Sequence, residues 1–235
     1  VSAIPEPEVS AVLVVGFPAG VFQANCYLIA TGEGRECVVV DPGQDAESAV
    51  AAALRERSLT PVAVLATHGH VDHVASAAAV ADAHGVPCYI RPEDRHLLAD
   101  PLAGLGPELA DVAGPLAPIE PAAVVPLTAP VLDLAGLRIE VEHTPGHTPG
   151  SVVFRLRSDE GGVLALTGDT LFAGSVGRTD LPGGDPAALA RSLRGLLRLP
   201  DHTVVLPGHG GATTLGRERA ANPFLTAETD SEDVS

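Results

Sequence analysis

Seven residues, Thr67-His68-Gly69-His70-Val71-Asp72-His73, constrain this chain more than any other stretch. They put three imidazoles and a carboxylate into six consecutive positions. An apolar run, Val62 to Ala66, precedes them, and an Ala/Val-rich segment with helical spacing follows. The spacing predicts a turn between a buried strand and a helix. In extended chain His68 and His70 point to the same side. Once the chain turns into the helix, Asp72 and His73 can face a second point close by. Neutral His and ionised Asp are good ligands for a cation such as zinc, so one turn could serve two neighbouring metal ions. A solvated turn rich in histidine is the alternative, and His-x-His alone does not exclude it.

Three later stretches favour the metal reading. They are Thr144-Pro145-Gly146-His147, Thr167-Gly168-Asp169-Thr170 and Pro207-Gly208-His209-Gly210. Each sets a His or Asp beside glycine at the edge of a β-like run, where glycine allows a sharp turn and a close approach. A length of 235 residues suffices for one sizeable core. No apolar run approaches the roughly 20 residues a transmembrane helix needs. Val1 to Ser10 carries acidic residues and prolines and no basic stretch, so no secretory signal is expected. Cys26, Cys37 and Cys88 are too few for a disulfide scaffold and are expected as small buried hydrophobes in a reducing cytoplasm. A net charge of −16 repels nucleic acid and anionic lipid, and aromatics at 3% leave few platforms for stacking bases.

Residues 1–9 read as a disordered lead-in, 10–226 as one domain and 227–235 as a disordered acidic tail. Strands are expected at Val12–Val15, Cys26–Ala30, Cys37–Val40, Val62–Ala66, Pro87–Arg91, Val131–Leu134, Leu137–Glu142, Val152–Arg157, Val163–Leu166 and Thr203–Leu206. A Gly/Pro connection at Gly16–Gly20 separates the first two. Helices are expected at Asp45–Arg57 with Asp45 as N-cap, from Val74 through Ala81, at Pro92–Ala99, after Asp185-Pro186, and around Leu215–Ala221. The N-terminus of the helix that follows the histidine turn would place its dipole at the site. Residues 100–130 lack a clean period and suggest a lid or connector. Periodicity alone gives a mixed α and β domain with two β-rich halves.

The ordered set His68-x-His70-x-Asp72-His73, His147, Asp169 and His209 resembles the metallo-β-lactamase superfamily. Within it, the set is similar to short glyoxalase II-like thiolester hydrolases. Asn25-Cys26-Tyr27, Val40-Asp41-Pro42-Gly43, Gly168-Asp169-Thr170-Leu171-Phe172 and Gly177-Arg178-Thr179-Asp180 match that branch as well. The resemblance implies an α+β fold, a four-layer αββα sandwich. It implies two divalent metal ions, zinc foremost with iron or manganese as alternatives. One is held by His68, His70 and His147, the other by Asp72, His73 and His209, and Asp169 bridges them. A shared carboxylate offsets the repulsion between two such cations, and metal brings bound water within reach of deprotonation at neutral pH. Asp72 is a ligand and the candidate catalytic carboxylate, able to orient the nucleophile or hold its proton. Arg178 either pairs with Asp180 to support the Asp169 loop or binds an anionic substrate group. Asp41 is expected to orient the metal loops or cap a turn. His143 is expected as a strand-end polar residue, and His84, His96 and His202 as surface or satisfied histidines.

The implied activity is hydrolysis of an S-acyl thiolester such as S-lactoylglutathione, by a cytoplasmic enzyme with no nucleic-acid or membrane partner. Only 26 residues follow His209 in this sequence, too few for the helical C-terminal domain of full-length glyoxalase II. The resemblance is therefore to the short enzymes, and the thiol carrier stays open. Persulfide dioxygenases, which hold one iron, carry nearly the same stretches and give the alternative reaction. Leu181-Pro182-Gly183-Gly184-Asp185 looks closer to the hydrolases.

Overall fold

The computed structural model describes residues 12–106, 119–158 and 161–225. Within them two six-stranded sheets stack face to face. The first holds β1 (Leu13–Ala19), β2 (Ala24–Ala30), β3 (Glu36–Val40), β4 (Thr60–Leu65), β5 (Cys88–Ile90) and β6 (Val124–Pro126), in that order. The second holds β7 (Val131–Leu134), β8 (Leu137–His143), β9 (Val152–Arg157), β10 (Val163–Gly168), β13 (Val204–Pro207) and β14 (Thr213–Thr214), with β10 and β13 side by side. A hairpin of β11 (Leu171–Phe172) and β12 (Ser175–Val176) stands apart. The helices are α1 (Glu47–Glu56), α2 (Val71–Val74), α3 (Ala77–His84), α4 (His96–Ala99), α5 (Pro186–Leu196) and α6 (Leu215–Ala221).

The layers follow from the period-2 alternation of strand side chains. Tyr27 and Ile29 of β2 face inward and pack with Ile139, Phe154, Leu156 and Leu166 of the other sheet. Their neighbours Cys26, Leu28 and Ala30 face outward onto Val50 and Leu54 of α1 and Val80 and Ala81 of α3. On the far side Val153, Ala165 and Val205 pack under Leu189, Leu193 and Leu196 of α5 and Leu215 of α6. Strands such as β2, β9, β10 and β13 therefore stabilise two interfaces, at about 1.5–3 kcal/mol per fully buried large aliphatic side chain. The result is the expected α+β sandwich of four layers, αββα. Cys26, Cys37 and Cys88 are buried free thiols within it. Among the described residues no helix is long and apolar enough to cross a membrane.

Several local expectations give way to tertiary contacts. The connection expected at Gly16–Gly20 is strand as far as Ala19, because β1 is an edge strand and tolerates Pro18. The reversal follows at Gly20–Gln23, where both end residues have positive φ. Asp45 does not cap α1. Its φ is +59°, and the Ala46 amide is met by Ser76 Oγ and the Gly43 carbonyl. The same Ser76 donates its amide to Pro42 O and its hydroxyl to Gly43 O, which splits the helix expected from Val74. Only the four-residue α2 adjoins the histidine turn, so the expected long dipole is absent there. Of Pro92–Ala99 only His96–Ala99 is helical. The expected lead-in at 1–9, the acidic tail at 227–235 and the middle of the 100–130 connector lie outside the described residues. Asp185 does cap α5, accepting from Ala188 N at 2.9 Å with Pro186 at the first helical position.

Candidate metal centre

Four strand ends, those of β4, β8, β10 and β13, deliver the site, and the end of β3 braces it. β3 and β4 are parallel neighbours, so Asp41 and the turn from Thr67 to His73 leave the first sheet side by side. β10 and β13 are parallel neighbours in the second sheet, which places Asp169 beside His209. The β8–β9 connection supplies His147. An isolated bridge from Ala24 to His209 ties the two sheets at this edge.

Two groups of ligand-type atoms result. His68, His70 and His147 form one, and Asp72, His73 and His209 form the other, each with its ligand atoms within 4.8 Å of one another. In the first, His70 Nδ1 faces His147 Nε2 at 2.8 Å, and the buried His68 Nε2 has no hydrogen-bond partner. In the second, His73 Nε2 lies 3.3 Å from His209 Nε2 and 3.5 Å from Asp72 Oδ2, and His209 Nε2 lies 3.2 Å from Asp72 Oδ2. Asp169 touches both groups. Its Oδ1 is 3.3 Å from His73 Nε2, and its Oδ2 is 3.5 Å from His147 Nε2 and 3.6 Å from His209 Nε2. All seven residues singled out in the sequence therefore meet at one place. Asp41, His68 and His73 also come together as a third group. There the carboxylate already accepts from Thr67 N at 2.7 Å and Thr67 Oγ1 at 2.6 Å, so it orients rather than awaits an ion.

Hydrogen bonds set the tautomers. His73 Nδ1 lies 3.0 Å from Asp41 Oδ2, and a carboxylate only accepts, so Nδ1 carries hydrogen and Nε2 is the nitrogen that faces the cluster. His147 Nδ1 likewise donates to the Arg178 carbonyl at 2.7 Å, leaving Nε2 to face His70. Burial, with the neighbouring imidazoles, pushes the pKa of His68 well down and that of His70 to about 3. Burial alone would lower His73 too, but Asp169 and Asp72 overcome it and raise His73 well above its usual value. Burial would raise Asp72 and Asp169, yet His73 beside them keeps both below the ordinary carboxylate range. Five imidazoles, two carboxylates held below their ordinary range and a partnerless buried His68 nitrogen form a donor set that fits divalent cations.

The loops are fixed closely. A Cβ on Gly208 would sit 2.7 Å from His73 Cε1, so only glycine admits the ring there. Asn25 donates its amide NH₂ to the carbonyls of Pro207 and Gly210, both at 2.9 Å, and Tyr27 OH donates to Pro207 O at 2.8 Å. The sequence marked Asn25-Cys26-Tyr27 without revealing this clamp on the His209 loop, whose partners lie about 180 residues away. Asp94 was missed altogether; it is fully buried between two site loops and carries no local signal. Arg178 forks onto Asp180 with two 2.7 Å bonds and holds that carboxyl down to about 2. His143 closes its strand end against Pro149 O at 2.8 Å, and His84, His96 and His202 are exposed, as expected.

The cluster opens into a cavity of about 320 Å³ with apolar walls from Phe22, Leu105, Phe172 and Val176 and with Arg178 at its side. A larger cavity of about 460 Å³ lies over α5 and shares Val176 and Arg178 with the first. None of the seven clustered residues lines it, so the smaller cavity is the one the chemistry reaches.

The family model described as metallo-beta-lactamase superfamily matches residues 19–209. The chain is 37% identical to hydroxyacylglutathione hydrolase GloC of Haemophilus influenzae over 218 residues, covering 90% of this chain and 97% of that protein. It is similar to the crystal structure of TTHA1623 in a di-iron-bound form, at 42% identity and a TM-score of 0.75, covering 90% of this chain and all of the other. It is similar also to the crystal structure of BLEG-1 B3 metallo-beta-lactamase, at 38% identity and a TM-score of 0.81, covering 91% and 100%. With this match, these neighbours and a His/Asp cluster at the ends of four strands, the chain belongs to the metallo-β-lactamase superfamily.

Proposed function

We propose that this chain is a metal-dependent thiolester hydrolase of the glyoxalase II-like kind, working at a dinuclear centre. The observation that carries the reading is Asp169, whose carboxylate lies within 3.6 Å of imidazole nitrogens from both groups. In this reading His68, His70 and His147 hold one divalent cation, Asp72, His73 and His209 hold the other, and Asp169 serves both. Zinc, iron and manganese all suit these nitrogen and oxygen donors, and the similarity to a di-iron protein supports iron alongside zinc. When bound, such a pair supplies an activated water at neutral pH and polarises an acyl carbonyl.

The protein's own groups do the rest. In this reading Asp72, whose Oδ2 lies 3.2 Å from His209 Nε2, orients the attacking water and holds its proton. Asp41 and the Arg178 carbonyl keep His73 and His147 in the tautomers that present Nε2. Phe22, Leu105, Phe172 and Val176 take up the acyl group and exclude bulk water, and Arg178, paired with Asp180, supports the cavity wall. The identity shared with GloC supports a glutathione thiolester as the first substrate to test.

The test is release of thiol from S-D-lactoylglutathione by metal-loaded protein under strict anaerobiosis. Parallel arms follow oxygen uptake with glutathione persulfide and opening of a chromogenic β-lactam. Hydrolysis is expected to proceed undiminished without oxygen and to exceed both other activities. Inertness toward several thiolesters, together with oxygen consumption or β-lactam turnover, would overturn the reading.

A further inference from the structure

Asp94 is wholly buried and lies between two loops that are distant in sequence. Its Oδ2 accepts from Gly69 N at 2.9 Å and from Thr148 Oγ1 at 2.7 Å, and its Oδ1 accepts from Gly150 N at 2.7 Å. Gly69 separates His68 from His70, and Thr148 follows His147. One carboxylate thus ties together the two segments that carry the first histidine group. The fit is tight on both sides: a Cβ on Gly150 would come within 2.6 Å of Asp94 Oδ1, and one on Gly69 within 3.0 Å of Asp94 Cβ. The second group is braced elsewhere. His73 leans on Asp41, and the His209 loop is pinned by Asn25 and Tyr27.

We infer that Asp94 is a positioning residue dedicated to the first group: it sets the spacing of His68, His70 and His147 and through them the affinity of one cation site but not the other. This inference rests on the dinuclear reading above. The carboxylate's charge state matters to the geometry because all three of its partners are donors. An asparagine in its place must turn its NH₂ toward either Gly69 N–H or Gly150 N–H. Either way two donors face each other and one bond across the loops is lost. Outer partners of ligands commonly change metal affinity by roughly 10–100-fold when altered.

The experiment isolates each group in the full-length chain. In a His209→Ala background only the first group is complete, and in a His147→Ala background only the second. Zinc affinity is measured by competition with a chromophoric chelator, with and without Asp94→Asn. The expected result is a loss of roughly 10–100-fold in the first background and less than about threefold in the second. A merely structural role would weaken both alike. Should Asp94→Asn fail to fold, Thr148→Val removes one of the three bonds, and a several-fold loss confined to the first background is expected. Equal losses in the two backgrounds, or none in the first with the variant that folds, overturn the inference. A wild-type chain that binds no zinc overturns the dinuclear reading as well, whereas a wild type that binds two and ignores these substitutions overturns only the role of Asp94.

Discussion

The two histidine groups sit with the rings of His68 and His73 only 4.2 Å apart, yet they are chemically unlike. The first is three buried imidazoles with no carboxylate of its own, and burial drives His68 and His70 toward the neutral form. The second mixes one carboxylate with two imidazoles, and Asp72 and Asp169 push the pKa of His73 and of His209 up despite burial. The second is also more open, with the His209 side chain 29% and that of Asp72 15% exposed. The lesson is that the same side chain is pushed in opposite directions within a few Å, according to where the carboxylates lie. A neutral imidazole offers its lone pair at once, whereas a protonated one must first give up a proton to the cation.

The largest expected effect comes from removing what the groups share. Asp169→Ala should strip both groups together, taking metal from about two ions per chain toward none and activity to background. Elemental analysis checks it, and a normal metal content would show that the carboxylate is not shared. Next in size, His209→Ala should empty the second group alone and leave close to one ion per chain. His70→Ala should do the converse, so equal and total loss in both variants would break the division into two groups. Smaller still, Asp41→Asn should weaken the second group by roughly 10–100-fold through the tautomer of His73. Chelator competition on the purified variant would reveal an unchanged affinity if Asp41 has no such part.

The smallest effect tests the contrast in protonation on chelator-stripped protein. His70 has a folded pKa of about 3 against roughly 6.5 unfolded. Between those values the unfolded chain binds a proton that the folded one does not, so stability falls as pH drops below about 6.5, and His68 acts in the same direction. His73 and His209 are raised, so their contribution is complete below about 6.5 and is lost as pH rises through their folded values. Asp72 and Asp169 are depressed, and their contribution, present above about 4, is lost as pH falls through their folded values. The melting temperature of stripped protein should therefore peak near pH 6.5, at about 2–4 °C per kcal/mol of lost stability on either side. Added metal should flatten the alkaline limb, because the cation replaces the protons. A melting temperature that climbs steadily through pH 8 without metal would contradict the contrast.

Much of this was readable in the chain. The β-branched runs gave most of the strands because their alternation reports burial on two faces, and the helical stripe Leu189, Leu193, Leu196 reports packing on a sheet. The seven clustered residues were readable because motif spacing beside glycine is local. Failures occurred where a distant group decided a local conformation. Ser76 interrupts a helix because it turns to Pro42 and Gly43. Asp45 has the chemistry of a cap, but Ser76 takes the amide beside it. The short edge pairs β11–β12 and β14 are too brief for any period to show.

The sequence by itself determined the chemical inventory: which imidazoles and carboxylates are present, in what order, and which apolar faces must be covered. Composition and periodicity are properties of neighbours along the chain, and those suffice for that much. The resemblance implied the two ligand sets, the Asp169 bridge and an orienting Asp41; only the tertiary structure decided the distances at which these atoms meet, and that Asn25, Tyr27 and Asp94 hold the loops in place. The physical reason is that a hydrogen bond across 50 or 180 residues requires only one donor and one acceptor at the right point in space, which leaves no periodic trace in the sequence between them.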